Sequence, residues 1–348
     1  MEVVTGRRTP PLPPALALLL GGAAAVIVLA GLKAAAGIAG PAFVALVLTL
    51  AVAPLRRLLA ERNAPALVCV VVPLTAALAV LVLIGGSLAY SAVRLATELP
   101  AYEEQLAALG ASVTGFLNRH GVGGSQAAEI TGTFDPAKLV PLIEGFLSGL
   151  AGALAGAVLV VMLLYAMSLD ALGLRRALAD LAGERPAMVG ALRGYATDTC
   201  RFLVVTTAFG LVVAVADTTA LALLGVPLPL LWGLLSFITN YIPNVGFFIG
   251  LVPPALMALL DSGVGTMLWV IALYCVLNFV IQSLIQPKIV GDAARLSVTL
   301  TLLSLAVWSY VLGPVGAVLA VPLTLLVRAL LIDAAAGRGW VDRLLAAS

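Results

Sequence analysis

Two apolar runs in this chain are too long for single membrane crossings and too interrupted for single helices. Residues 227–260 and 297–331 number 34 and 35. At about 1.5 Å per residue each would reach about 50 Å as one helix, against a hydrocarbon core of about 30 Å. Each run also breaks near its middle, at Ile242-Pro243-Asn244-Val245-Gly246 and at Leu312-Gly313-Pro314-Val315-Gly316. Proline removes an amide hydrogen and glycine frees φ, so the helix opens and bares carbonyls and amides. A bilayer tolerates such backbone only where it is buried in protein or lines a cavity. Re-entrant hairpins or discontinuous helices meet that condition. Turns between paired short helices at the membrane edge are the plainer alternative.

Six further runs, at 15–32, 34–53, 65–91, 147–169, 202–224 and 264–285, have the length of single crossings. Of the 348 residues, 62% are hydrophobic and only 36 (19 Lys+Arg, 17 Asp+Glu) are charged. With a mean hydropathy of +1.14, such a chain cannot present a water-facing surface all round. The expectation is an all-α polytopic membrane protein with about eight hydrophobic helical segments, two of them broken or re-entrant, plus an extracytoplasmic helical segment. The pattern divides into three membrane helices (1–91), the extracytoplasmic segment (92–146), a fourth membrane helix (147–169) and cytoplasmic amphipathic helices (170–201). A C-terminal membrane core with two broken hairpins (202–331) and a cytoplasmic tail (332–348) follow. Arg7-Arg8 before the first run imitates a signal peptide, but another apolar run follows almost at once, so 15–32 reads as the first membrane helix.

Orientation follows the basic residues. If both broken runs return to their own side, 15 of the 19 Lys and Arg lie on the cytoplasmic face, leaving Lys33, Arg94, Arg119 and Lys138 outside. If both cross fully, Lys288 and Arg295 move outside as well. Either way both termini are expected in the cytoplasm of a bacterial inner-membrane protein. In the external segment, Gly121 to Ser125 reads as a turn, and Asp135-Pro136 as a helix start, an acid at the N-cap before proline at the first helical position.

Several function classes drop out. A net charge of +2 with scattered basic residues makes no phosphate-neutralising surface, which excludes nucleic acid. There is no GxxxxGK[ST], so no ATP site, and no HExxH, GxSxG or intramembrane carboxylate pair for an enzyme. Cys69, Cys200 and Cys275 are far apart and make no metal spacing. The lone histidine, His120, sits among polar residues and reads as solvated. No cofactor is expected.

Asp217 stands apart, embedded in the apolar stretch from Phe209 to Leu221. A carboxylate there costs on the order of 2.5 to 3.5 kcal/mol by insertion scales, so it should face protein or a water-filled cavity. It is the candidate proton- or substrate-handling acid, with a structural interhelical hydrogen bond, or a place near the outer interface about two turns from Gly225, as the bland alternatives. The second constellation is Asn240, Pro243, Asn244 and Gly246, paired with Gly313, Pro314 and Gly316 in the other run. Matched Gly/Pro-interrupted segments are the best sequence pointer to a transporter's binding site. Between them Gln286-Pro287-Lys288 makes a polar, kinked exit from the membrane. Gly145, Gly149, Gly152 and Gly156 give small-xxx-small spacing suited to close packing within or between chains, which leaves homo-oligomerisation open.

At these residues the sequence resembles the bacterial autoinducer-2 exporter-like transporters. Asn240 to Gly246, Val252-Pro253-Pro254, Gln286 to Gly291 and Leu302 to Pro322 carry the likeness, which is dense from about Gly190 to Leu331. The resemblance implies export of a small polar solute, autoinducer-2 in some members and cation/proton antiport in others. It also makes the two broken segments and the Gln286 exit the functional core. Many relatives carry Glu-Pro-Arg at the position of Gln286-Pro287-Lys288, and losing that acid shifts weight to Asp217. The expected partners are a small polar solute or a cation, and the lipid bilayer. A sodium/proton antiporter is the nearest alternative, and a membrane scaffold without flux is an alternative of another class.

Overall fold

The computed structural model describes residues 14–102, 136–285 and 297–333, together with six positions between 104 and 119. Every element among the described residues is helical. That is the expected solution in lipid, where each backbone amide must find its carbonyl within its own segment.

The first apolar runs give α1 (Pro14–Ala34) and α2 (Ala36–Ala51), with a short amphipathic α3 (Ala53–Glu61) and a long α4 (Ala66–Glu98) that ends in a 3-10 turn, Leu99–Tyr102. The next long helix, α5, is described over Pro136–Glu184. The Gly121–Ser125 turn, Asp135 and His120 lie outside the described residues.

Helix α5 runs unbroken through the divisions read from the sequence at 146/147 and 169/170, and α6 (Pro186–Leu223) runs through the one at 201/202. Polarity changes along these stretches, but nothing stops a helix until Arg185, which leaves helical φ/ψ just before Pro186. The two helices are therefore continuous across the polarity changes at these positions.

Four stretches are long and apolar enough to cross a membrane: Ala36–Glu61, Leu67–Ser87, Pro186–Leu223 and Val264–Gln282. Both overlong runs fold back on themselves. The first becomes α7 (Pro229–Thr239), a turn at 240–245 and α8 (Gly246–Ser262); α9 (Val264–Asn278) follows and passes into a π-helical turn, Phe279–Ile285. The second becomes α10 (Val298–Leu312), the short α11 (Pro314–Val318) and α12 (Ala320–Arg328), which ends in a π turn, Ala329–Asp333. Gly313 makes that fold-back at φ +65°, ψ −147°, a conformation that favours glycine. Its two arms are stitched by Ser304 Oγ donating to the Ala320 carbonyl at 3.0 Å and Trp308 Nε1 donating to Thr324 Oγ1 at 3.1 Å.

Helix α6 is the ruler against which both hairpins can be placed. Near its N-terminal end, Ala191 and Tyr195 share a core with Val321, Leu325 and Ala329 of the second hairpin. Near its C-terminal end, Leu221 shares one with Leu231 and Trp232 of the first. Midway, Leu203 packs in a cluster with Trp308 and Leu312, onto which Tyr241 and Ile242 also pack. The hairpins thus approach α6 from opposite ends, and their tips meet beside its middle.

A Cβ added at Gly156 of the small-residue row would stand 3.7 Å from Pro41 Cγ, an ordinary contact distance between α5 and α2. At the far end of the first hairpin, Tyr102 OH donates to Asp261 Oδ1 at 2.9 Å and clips the end of α4 to α8.

Candidate functional site

Asp217, in the C-terminal part of α6, faces a small polar cavity. Asp217 is 2% exposed. It lines the cavity with Ser236 and Thr239 of α7, Asn240 of the hairpin turn, and Tyr274, Asn278 and Gln282 from α9 and its π turn. Val213, Phe247 and Gly250 complete the wall. Among the described residues Asp217 is the only charged group in this lining, and its described neighbours offer dipoles and hydrogen bonds.

Three helices converge here because glycines let their backbones close. At Gly233 of α7 a Cβ would meet the Ala214 carbonyl of α6 at 2.8 Å and run into Thr218 Oγ1. At Gly250 of α8 it would meet Thr239 Oγ1 at 2.9 Å, and at Gly210 of α6, Asn240 Nδ2 at 2.9 Å. Small residues at crossings are how apolar helices gain packing where the hydrophobic effect supplies no drive between them.

Asn240 ties the cavity shut on one side. Its Nδ2 donates to the Thr206 carbonyl at 3.0 Å, and its Oδ1 accepts from Gln282 Nε2 at 3.0 Å. One side chain thus joins α6, the hairpin tip and the π turn of α9. The wide turn bends away from the regular i→i+4 ladder at Gln282, a common device at functional sites. Beside this link, Thr207 Oγ1 and Tyr241 OH hydrogen-bond at 2.6 Å.

On the other side, both the Asp217 carboxyl and the Tyr274 hydroxyl face Ser236 Oγ. No hydrogen bond of good geometry closes there: Ser236 Oγ and Tyr274 OH are buried without a protein partner. Buried hydroxyls left open beside a carboxyl provide donors and acceptors for a guest. The cavity holds about 20 Å³, room for one water-sized particle in this conformation. Among the described residues no group of three or more His, Cys, Asp and Glu forms a metal cluster.

The family described as AI-2E family transporter matches residues 23–336. The chain belongs to that family. Among its AI-2E relatives is the AI-2 transport protein TqsA of Escherichia coli K12, 28% identical over 313 residues covering 90% of this chain and 91% of TqsA. YhhT of the same organism is 29% identical over 310 residues, 88% of each chain. This AI-2E chain is therefore a multi-pass helical membrane transporter and not an enzyme.

Of the residues singled out in the sequence, Asp217 and Asn240 come together in the cavity. Pro243 and Asn244 shape the hairpin turn without lining it; Asn244 takes φ +62° and is exposed. Gly246 is used for packing, since a Cβ there would strike the Thr239 carbonyl. Gly313, Pro314 and Gly316 form the tip of the other hairpin and stand off the cavity, Gly316 against the Trp308 carbonyl. Gln286, Pro287 and Lys288 lie outside the described residues.

The sequence reading passed over Ser236, Thr239, Tyr274, Asn278 and Gln282. A signal was present, because Tyr274, Asn278 and Gln282 recur every four residues through an apolar run and so share one helix face. Asn240→Ala is expected to leave the Gln282 amide and the Thr206 carbonyl without their partner. It should lower stability by about 1–3 kcal/mol, read as a lower detergent-solubilised melting temperature.

Proposed function

We propose that this protein exports a small polar solute across the bacterial inner membrane by a secondary, proton-coupled mechanism, with autoinducer-2 as the first solute to test. The observation that carries the proposal is the meeting of Asp217 with unpartnered Ser236 and Tyr274 hydroxyls between α6, the first hairpin and α9. In this reading Asp217 takes a proton on one side of the membrane and yields it on the other. The opposed hairpins gate the two sides in turn, and the Asn240 link to Thr206 and Gln282 is the contact that breaks when the cavity enlarges. The name of TqsA supports the choice of solute, and the density of Lys and Arg in the inner loops supports cytoplasmic termini.

A second reading, cation/proton antiport, draws on the size of the cavity. About 20 Å³ between a carboxyl, hydroxyls and amides suits a bare monovalent cation better than a furanone.

Proteoliposomes decide between them. With an imposed pH gradient, autoinducer-2 movement above that of empty liposomes supports export. Sodium-linked proton movement without it supports antiport, and neither flux refutes both.

A further inference from the structure

Outside the cavity, the joint between α1 and α2 sets a cation at the head of an apolar groove. Lys33, in the last turn of α1, holds its Nζ 3.3 Å from the centroid of the Tyr310 ring near the end of α10. From there a groove of about 720 Å³ runs between the two helices, walled by Val26, Leu29 and Ala30 on one side and Ala306 and Val307 on the other. Apart from Lys33 and Tyr310 the lining is entirely hydrocarbon. Ile27, Val28 and Leu303 beside it are 60% exposed or more, so the groove opens on the surface that faces lipid. We propose that it is a binding site for one anionic phospholipid, with an acyl chain along the groove and the phosphate on Lys33.

The charge at the groove's end selects this occupant. The Tyr310 ring meets the ammonium through its face, which accepts none of the three N–H groups in an ordinary hydrogen bond. Among the described residues no carboxylate or carbonyl accepts from Lys33 either. A lysine at the end of a membrane run extends to the headgroup layer, where phosphodiester oxygens are the abundant anionic acceptors. A zwitterionic headgroup carries its own cation in competition for that phosphate, so a net anionic lipid is preferred. Tyr310, 72% exposed, holds the ammonium over the groove instead of letting it range through solvent.

Native mass spectrometry of the full chain in detergent, with palmitoyl-oleoyl phosphatidylglycerol or the matching phosphatidylcholine added, tests the site. We expect one phosphatidylglycerol per chain to survive activation that strips phosphatidylcholine. Lys33→Gln should cut the retained fraction about fivefold, the worth of one lysine at an anionic membrane surface. Lys33→Arg should restore it, and Arg94→Gln, which alters the other cation stacked on a tyrosine, should leave it unchanged. Equal retention of the two lipids, undiminished retention by Lys33→Gln, or a chain that sheds lipid on forming dimers would overturn the proposal. Lys33 and Tyr310 are both exposed, so the substitutions leave the packed core intact.

Discussion

Asp217→Asn is expected to reduce gradient-driven flux to near the level of empty liposomes and to flatten its response to pH. Asparagine keeps the shape and hydrogen-bonding capacity of the side chain but cannot load or release a proton, so the fold should survive while coupling is lost. A drop of about tenfold or more corresponds to about 1.4 kcal/mol or more on the limiting barrier. That is a modest demand on the only charged group among the described residues that line the cavity. Asp217→Glu should retain pH-responsive flux at a lower rate, because the longer side chain must fit a space of about 20 Å³. Ser236→Ala separates coupling from positioning. It removes the hydroxyl that faces both Asp217 and Tyr274 and should shift the pH at which flux is half-maximal without abolishing flux. Unchanged flux and unchanged pH response in Asp217→Asn would remove Asp217 from the mechanism.

Which parts of this architecture could be read from the residues depends on how local the physics is. Proline and glycine act on their own backbone, so the breaks at Pro243 and at Gly313-Pro314 were legible and the folded-back arms sit where they imply. Asp217 was legible because a charge in an apolar run is costly wherever the helix turns. The other walls of the cavity were not, since Ser236, Thr239 and Tyr274 become functional only when three separate helices meet. Serine and threonine are ordinary in membrane helices, where they also back-bond to their own carbonyls, as Thr218 does to Ala214 at 2.7 Å. The pairing of the two broken segments is a signal of another kind. Similar backbone chemistry produced two hairpins, but only the first contributes a polar wall, while the second contributes Trp308 and Leu312 to the apolar cluster on which the first hairpin's tip rests. Segment divisions and helix ends are different things in α5 and α6: hydropathy marks where lipid contact is expected to end, whereas the helix is interrupted only at Arg185-Pro186.

Gly233→Ala and Gly265→Ala should move stability in opposite directions, although each adds one methyl to a helical glycine. At Gly233 the new Cβ lies 2.8 Å from the Ala214 carbonyl oxygen and within clashing distance of Thr218 Oγ1. The hydroxyl can rotate away, but the carbonyl belongs to the backbone of α6 and moves only if the whole helix moves. Hairpin and helix must therefore separate at the wall that carries Asp217, and overpacking of this kind costs about 1–3 kcal/mol. Gly265 in α9 has no atom within 4 Å of the corresponding position, so alanine there gains up to about 1 kcal/mol of helix propensity. A falling melting temperature for the first variant and a level or rising one for the second is the expected pair of results. Thr218→Ala combined with Gly233→Ala should recover only part of the loss, because it relieves the hydroxyl contact and leaves the carbonyl. Flux should follow the same order, since the spacing of α6 and α7 sets the distance from Asp217 to Ser236. If Gly233→Ala matched Gly265→Ala in both stability and flux, the close crossing of α6 and α7 would not be what holds the cavity together.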